Sequence, residues 1–124
     1  GNLRYGATIV PVRDVARSLD FYVNTLGFTC LFGGPHAPVT CVQRGPVTLQ
    51  LQPSTDEDVL AVTANHIAVY VEVGDLDGLW AELAPRLAGL AEGRVREPFT
   101  QPYGMREFHV KDPDGMLMFF GADA

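Results

Sequence analysis

The side chains of this chain that could do chemistry are few and scattered. It has three histidines and two cysteines, and it contains no nucleophile elbow and no phosphate-binding glycine loop. Cys30 and Cys41 are too few for a disulfide framework and lack the spacing of a zinc site. We interpret them as reduced, buried thiols lying roughly opposite each other on neighbouring strands, with a strained cross-strand disulfide as the alternative.

The residues around the C-terminal turn include more polar and titratable side chains. Residues 102–115 read PYGMREFHVKDPDG, and Asp112-Pro113-Asp114-Gly115 predicts a type I turn between two strands. The two aspartates are therefore explained by turn formation. Glu107 and Arg106 point to opposite faces of the strand, and His109, which alternates with Phe108 and Val110, is predicted to lie on the surface.

Composition excludes several classes of function. The chain has 124 residues, 47% of them hydrophobic and 19% charged, as expected for one globular domain. A net charge of −6 disfavours nucleic-acid binding and mildly favours a cationic ligand. No apolar run is long enough to span a bilayer and no signal peptide is visible, so we expect a cytoplasmic protein without membrane contact.

The hydrophobic pattern predicts the same order of elements twice. Asp14 and Asp75 are candidate N-caps, each preceded by a strand and followed by a helical apolar face. Gly27 should end the first helix, and Pro85 should kink or interrupt the second. The predicted strands are 7–12, 28–32, 39–43, 47–52, 66–73, 95–100, 105–111 and 116–121.

This order predicts an α+β fold of two βαβββ modules that form a curved mixed sheet around a cleft. Module one covers residues 6–53 and module two covers 64–121, joined by a solvated linker at 54–63. The stretch from Pro53 to Thr63 contains Pro, Ser, Thr and three acids. One helix covers one face of each sheet, which leaves the other face as a ligand cleft. On the strand 47–52, Gln50 and Gln52 alternate with apolar residues and should line that face.

Two segments carry a family resemblance. Residues 10–28, VPVRDVARSLDFYVNTLGF, and residues 102–115 resemble the first-module and closing signatures of the vicinal oxygen chelate superfamily. That superfamily includes glyoxalase I, extradiol dioxygenases, fosfomycin-modifying enzymes and metal-free proteins of the bleomycin resistance type. The resemblance extends over nearly the whole chain. At PYGMREF the sequence is most similar to the metal-free proteins of the bleomycin resistance type.

The resemblance implies a metal-ligand position on each of four strands. These positions match Ala7, Gln50, His66 and Phe119 in this chain. Divalent catalysis needs at least three good donors, and here only His66 is an ordinary ligand. We therefore expect no metal and no catalytic residue. The alternative is a divalent ion held by His66 and Gln50 with a donor from elsewhere; without a metal, His66 would hydrogen-bond the backbone or the ligand.

The resulting hypothesis is a metal-free, homodimeric protein that sequesters a toxic or antibiotic-like small molecule, planar or cationic in character. Tyr103 would stack on the ligand or else pack at a dimer edge, and Arg106 would bind an anionic group or form a structural ion pair with a buried acid. The alternatives are a metal-dependent lyase or dioxygenase and an interaction protein with a vestigial cleft. The predicted lining consists of Gln50, Gln52, His66, Tyr103, Arg106 and Phe119.

Overall fold

The chain forms two four-stranded mixed sheets, each with a helix on one face, in a computed structural model that describes residues 1–124. It divides into two units, Gly1–Ala61 and Val62–Ala124. The first contains β1 (Thr8–Val12), α1 (Val15–Asp20), β2 (Thr29–Phe32), β3 (Thr40–Arg44) and β4 (Val47–Pro53). Then follow α2 (Glu57–His66), β5 (Ala68–Glu72), α3 (Leu76–Leu87), β6 (Val95–Thr100), β7 (Met105–Lys111) and β8 (Leu117–Asp123).

Both sheets have the same topology. The strand orders are β1-β4-β3-β2 and β5-β8-β7-β6. In each sheet the first and last strands of the unit pair in parallel, whereas the other neighbours pair antiparallel. A parallel pair needs a crossover connection, and here the crossover includes the helix that packs on the sheet. The prediction of an α+β fold built from two βαβββ modules is confirmed.

Helix α1 begins where the sequence predicts, and its π-helical continuation ends just before Gly27, the predicted end. The Asp14 carboxylate accepts a hydrogen bond from the Arg17 backbone N–H at 3.2 Å, which caps the first turn. The helix continues as a π-helical segment, Phe21–Thr25, and Gly27 follows at a φ of 77°. Tyr22 and Leu26 from this segment are buried together with Val10 of β1, so the apolar stripe forms the core of the first unit.

Helix α3 forms the core of the second unit. Asp75 caps it by accepting from the Gly78 N–H at 2.9 Å. The Trp80 ring lies 5.1 Å from that of Phe108 on β7, and Phe108 stacks on Phe120 of β8 at 4.9 Å. The predicted interruption at Pro85 is wrong: α3 continues to Leu87. Because Pro85 lies in the last turn, its missing N–H leaves the rest of the helix intact.

Helix α2 corrects the prediction of an irregular linker. The Asp56 side chain accepts from the N–H groups of Asp58 and Val59 at 3.0 and 3.3 Å, which caps a helix start. The acidic residues that suggested a solvated linker occupy the first turn, where negative charge favours a helix. His66 is the last residue of α2, so its predicted position on a strand is wrong.

The turn between β7 and β8 has the predicted structure. The Asp112 carboxylate accepts from the N–H groups of Asp114 and Met116, both at 2.9 Å, and Gly115 has a φ of 91°. Asp112 is almost fully buried, as a turn-forming aspartate can be when its oxygens are satisfied by backbone donors. None of the three helices is both long enough and apolar enough to cross a membrane.

Candidate functional site

The second sheet gathers aromatic and titratable side chains on the face that points away from α3. Along β7, Phe108 and Val110 are buried on the α3 side, so Glu107 and His109 point the other way. Phe119 of β8 is the register partner of both Tyr70 on β5 and His109, and Phe99 of β6 is the partner of Glu107. We call this surface the aromatic face; its members are Tyr70, Phe99, Tyr103, Glu107, His109 and Phe119.

Glu107 lies at the centre of the aromatic face and is completely buried. Its Oε1 accepts from Gln101 Nε2 at 3.1 Å and lies 2.8 Å from His109 Nε2. Its Oε2 accepts from the hydroxyl groups of Tyr103 and of Tyr70, the latter at 3.4 Å. Four side chains thus share one carboxylate, and both of its oxygens have hydrogen-bond partners within the protein.

These contacts decide the charge of Glu107. Burial alone would raise the pKa of its carboxyl group, but the hydrogen bonds from Tyr103, His109 and Gln101 outweigh burial and leave the pKa below its ordinary value. The same hydrogen bond, followed by desolvation and the negative charge of Glu107, raises the pKa of Tyr103 to about 12. Desolvation and then Glu107 also raise the pKa of Tyr70. Glu107 is therefore a buried anion, and both phenols stay protonated at neutral pH.

The rings above this carboxylate form a continuous group. Tyr70 stacks on Phe119 with centroids 6.0 Å apart, and the His109 ring lies 4.2 Å from Phe119 and 5.1 Å from Phe99. The Arg96 guanidinium lies 3.5 Å above the Phe99 ring. Tyr70 is 48% exposed and Tyr103 is 61% exposed, although their hydroxyls donate inward. The surface therefore presents aromatic carbon to solvent above a negative charge.

Gly121 on β8 makes this arrangement possible. It is the register partner of Glu107 on one side and of Glu72 on the other. A Cβ placed on Gly121 would overlap the Tyr70 hydroxyl and would lie 3.3 Å from the Glu107 side chain. Only a glycine lets the Tyr70 ring cross β8 and reach the carboxylate.

The six side chains predicted from sequence to line one cleft lie in different parts of the structure. Tyr103 and Phe119 are members of the aromatic face. Arg106 points to the α3 side, where its Nη2 lies 3.2 Å from Oδ1 of Asp77, an exposed acid on α3. His66 is exposed at the end of α2, and no hydrogen bond or ring contact joins it to Glu107. Gln50 and Gln52 belong to the first unit, where they alternate with the buried Leu49 and Leu51 on β4.

The lining predicted from sequence lacks four members of the aromatic face: Tyr70, Phe99, Glu107 and His109. The prediction that His109 lies on the surface is wrong, since only 12% of its side chain is exposed between Phe99 and Phe119. A usable signal was present, because an acid and a histidine two positions apart on a strand share one face. Tyr70 could not be found this way, since its contact with Glu107 spans 37 positions.

The exposure and the strand pairing of the two cysteines differ in part from the prediction. Both are free thiols, but Cys30 is exposed and only Cys41 is buried. Cys30 pairs with Val42, and Cys41 pairs with Phe32, because the register shifts between Cys30 and Phe32. The two are therefore not opposite each other as predicted. Burial, and then the neighbouring Cys30, raises the pKa of the Cys41 thiol.

A cavity of about 360 Å³ lies on the other side of the second sheet, at the end of α3. Its walls include Trp80, Leu87 and Val95, with Glu92 and Glu97 among the lining residues. None of its lining residues belongs to the aromatic face. It contains no histidine, cysteine or hydrogen-bonded group of titratable residues, so we place the candidate site at Glu107.

The donor set does not fit a metal with three protein ligands. No group of three or more His, Cys, Asp or Glu side chains is close enough to hold an ion. Glu107 and His109 are two candidate donors, but the other members of the aromatic face are phenylalanines and tyrosines whose hydroxyls donate to the same carboxylate. Of the four positions that the family resemblance implies, Ala7 and Phe119 carry no donor atom.

Comparison with known proteins gives the family. A family model described as the Glyoxalase/Bleomycin resistance protein/Dioxygenase superfamily matches residues 4–120. The chain belongs to this superfamily. Within it, the chain is 25% identical over 107 residues to the metallothiol transferase FosB of Shouchella clausii, covering 86% of this chain and 71% of that protein.

Solved structures of antibiotic-binding proteins share the fold. A bleomycin-binding protein from bleomycin-producing Streptomyces verticillus, complexed with copper(II)-bleomycin, superposes with a TM-score of 0.78 at 27% identity. This match covers 100% of the present chain and 99% of that one. TnmS3, an antibiotic binding protein from Streptomyces sp. CB03234, matches with a TM-score of 0.71 at 26% identity over 98% and 97% of the two chains.

Proposed function

We propose that this protein binds a planar, cationic, antibiotic-like small molecule on the aromatic face and sequesters it without metal chemistry. The observation that carries the proposal is the pairing of two exposed tyrosines with one buried carboxylate: Tyr70 and Tyr103 both donate to Glu107. Ring carbon attracts a flat ligand and the anion beneath attracts its positive charge. Binding of this kind needs no reacting group.

The physical chemistry of the face supports a cation over an anion. Each ring that stacks on a ligand contributes about 0.5–1.5 kcal/mol beyond the area it buries, and a cation above a ring adds a similar amount. Hydrogen bonds hold the tyrosine hydroxyls toward Glu107, so little side-chain entropy is lost when a ligand stacks on the rings. The net charge of −6 adds a long-range attraction for cations.

Relatives support the same class of ligand. The Streptomyces verticillus protein is described as bleomycin-binding and TnmS3 as antibiotic-binding, and both share the fold along essentially the whole chain. The identities of 27% and 26% do not identify the compound that this protein binds. We therefore extend to this chain only the class of ligand, a small antibiotic-like molecule.

Calorimetric titration with metal-free bleomycin and with proflavine, a flat tricyclic cation, tests the proposal. We expect at least one of them to bind, and Tyr70→Ala and Tyr103→Ala each to weaken binding by about 3- to 10-fold, as expected for one lost ring contact. Tyr5→Ala is the matched control, because Tyr5 is 63% exposed and makes no ring contact with the aromatic face. Equal loss in all three variants, or no binding of either compound, would contradict the proposal.

The similarity to the metallothiol transferase FosB supports a second candidate, a metal-dependent enzyme. Elemental analysis of the purified protein separates the two candidates. We expect less than about one tenth of a divalent ion per chain after dialysis and no change in melting temperature with EDTA, because only two donors converge at the site. One tightly held divalent ion per chain would favour the enzyme.

A further inference from the structure

His109 is held in one orientation by its neighbours. Its Nε2 lies 2.8 Å from Oε1 of the buried Glu107, and its ring is packed between Phe99 and Phe119. An ionised carboxylate can only accept a hydrogen bond, so in the neutral imidazole the proton must be on Nε2. The lone pair is then on the other ring nitrogen, Nδ1.

Nδ1 has no partner within the protein. The only polar contact of the His109 ring is the one from Nε2 to Glu107. No buried side-chain nitrogen or oxygen in the chain lacks a hydrogen-bond partner, so Nδ1 cannot be a buried atom. Although only 12% of the side chain is exposed, Nδ1 is therefore part of that exposed fraction. A hydrogen-bond acceptor of fixed position opens onto the aromatic face.

We propose that His109 Nδ1 accepts a hydrogen bond from the bound ligand and so selects planar cations that carry a ring N–H or O–H donor. This inference rests on the function proposed above and names the chemical feature that the site distinguishes. Glu107 is then a positioning residue, since it determines which nitrogen of His109 carries the lone pair. The neighbouring hydroxyls of Tyr70 and Tyr103 already donate to Glu107, whereas Nδ1 is unpaired.

The selectivity follows from the cost of leaving a polar group unpaired. A ligand that packs against Phe119 also contacts the edge of the aromatic face at His109, because the centroids of the two rings are 4.2 Å apart. Such a ligand excludes water from Nδ1. If it brings a donor, the nitrogen stays satisfied; if it does not, the lost hydrogen bond to water weakens binding.

Tryptamine and 1-methyltryptamine form a matched pair of probes. Both carry a planar indole ring and a protonated amine at neutral pH, and they differ in whether the ring nitrogen carries a hydrogen or a methyl group. In NMR titrations of the full chain we expect tryptamine to bind about 3- to 10-fold more tightly, the ratio expected for one hydrogen bond. In His109→Phe, which keeps an aromatic ring but no acceptor, we expect the ratio to fall to about 1.

The tautomer of His109 provides a second measurement that needs no variant. Two-bond ¹⁵N–¹H correlation spectra of the wild-type protein should show neutral His109 protonated on Nε2. In Glu107→Gln the side-chain amide can donate to Nε2, so we expect the Nδ1–H tautomer to appear and the preference for tryptamine to disappear. A residue that merely supported the fold would change neither the tautomer nor this ratio.

The possible outcomes separate the two proposals. If both probes bind the wild-type protein with equal affinity, or if His109 carries its proton on Nδ1, the inference about His109 is wrong while the proposed function stands. If neither the two probes nor the two compounds named above bind, both proposals fail. If His109→Phe does not fold, the wild-type affinity ratio and the wild-type tautomer still decide the matter.

Discussion

At the scale of single residues, Glu107 has the most unusual environment in the chain. A buried carboxylate without partners would be neutral, because transferring its charge out of water costs several kcal/mol. Here the hydroxyls of Tyr70 and Tyr103, the Gln101 amide and the His109 ring all contact the carboxylate. The charge is thereby kept at neutral pH, and the residues that stabilise it are also the ones exposed to a ligand.

Replacing Glu107 by Gln should change the titration of the tyrosines. Tyr103 has a pKa raised to about 12 because its hydroxyl donates to Glu107. Without the carboxylate the phenol should titrate near its ordinary pKa of about 10. Absorbance at alkaline pH should therefore show one more tyrosine ionising near pH 10 in Glu107→Gln than in wild type. The double variant with Tyr103→Phe should lack this additional phenol, and identical titration curves for wild type and Glu107→Gln would refute the network.

Glu107 should also make the stability depend on pH. Its folded-state pKa lies below its unfolded value, since the hydrogen bonds from Tyr103, His109 and Gln101 outweigh burial. Its contribution to the free energy of unfolding is therefore complete above the unfolded pKa, about 4.3, and is lost as the pH falls through the folded pKa. Urea unfolding of wild type and Glu107→Gln between pH 7 and pH 3 should show their difference shrinking with acid. A difference that stays constant or grows would contradict the assignment of charge.

At the scale of the elements, strand β8 supports the aromatic face because, on that side of the strand, a large aromatic ring is followed two positions later by a glycine. Phe119 lies under Tyr70 and beside His109, and two positions later Gly121 leaves room for the Tyr70 hydroxyl to reach Glu107. The opposite side of the same strand presents Met118 and Phe120 to the core. One strand thus supplies both the core packing of the unit and the floor of the candidate site.

Gly121→Ala should disrupt the site through this strand. The new Cβ overlaps the Tyr70 hydroxyl, so Tyr70 must move and lose its hydrogen bond to Glu107. We expect a loss of about 1–3 kcal/mol in the free energy of unfolding, as for other overpacked sites. Weaker binding of the compounds that bind wild type should accompany it. Gly74→Ala is the matched control, because a Cβ at Gly74 meets no atom within 4 Å. Equal effects at the two glycines would argue against the proposed role of Gly121.

The cap of helix α3 offers a test that is independent of the site. The Asp75 carboxylate accepts from the Gly78 N–H at 2.9 Å, so Asp75→Ala should lower the free energy of unfolding by about 1 kcal/mol. Glu92→Ala removes an exposed acid that caps no helix and should be nearly neutral. Both values come from chemical denaturation. Ligand affinity should be unchanged in either variant, which separates the stability of α3 from the function of the opposite face.

At the scale of the whole molecule, several large apolar side chains of the first unit remain exposed. Ile9, Leu31 and Phe32 have relative exposures of 55%, 51% and 47%. Exposed apolar residues close together along a strand, as Leu31 and Phe32 are on β2, often mark an interface. They are consistent with the homodimer that the sequence predicts.

Sedimentation equilibrium tests the homodimer directly. The chain has a mass of 13.5 kDa, so we expect about twice that mass at micromolar concentration. Leu31→Lys with Phe32→Lys should shift the equilibrium toward the monomer if β2 contributes to the interface. Arg17→Glu, on the exposed side of α1, is a control that changes charge elsewhere. A wild-type mass of 13.5 kDa at all concentrations would exclude the dimer.

Local chemistry made most of the fold predictable. Asp14 and Asp75 start helices because their carboxylates bond the backbone of the following turn, and Asp112 to Gly115 turns the chain for the same kind of local reason. The one missed helix, α2, had its signal in Asp56, Glu57 and Asp58, where acidic residues at a helix start resemble a solvated loop. His66 is the last residue of this helix, so its predicted place on a strand is wrong for the same reason.

The candidate site was less predictable because it depends on pairing between distant strands. The sequence by itself determined the helix caps, the turns and the order of the strands and most helices along the chain, and it placed Tyr103 and Phe119 together in the predicted lining. Only the tertiary structure decided that Arg106 faces α3 and that Glu107 is buried under Tyr70, a residue 37 positions away. Alternation along a strand defines two faces. Sheet register and helix packing then decide which face a helix covers and which side chains meet across neighbouring strands. Local propensity does not encode that register.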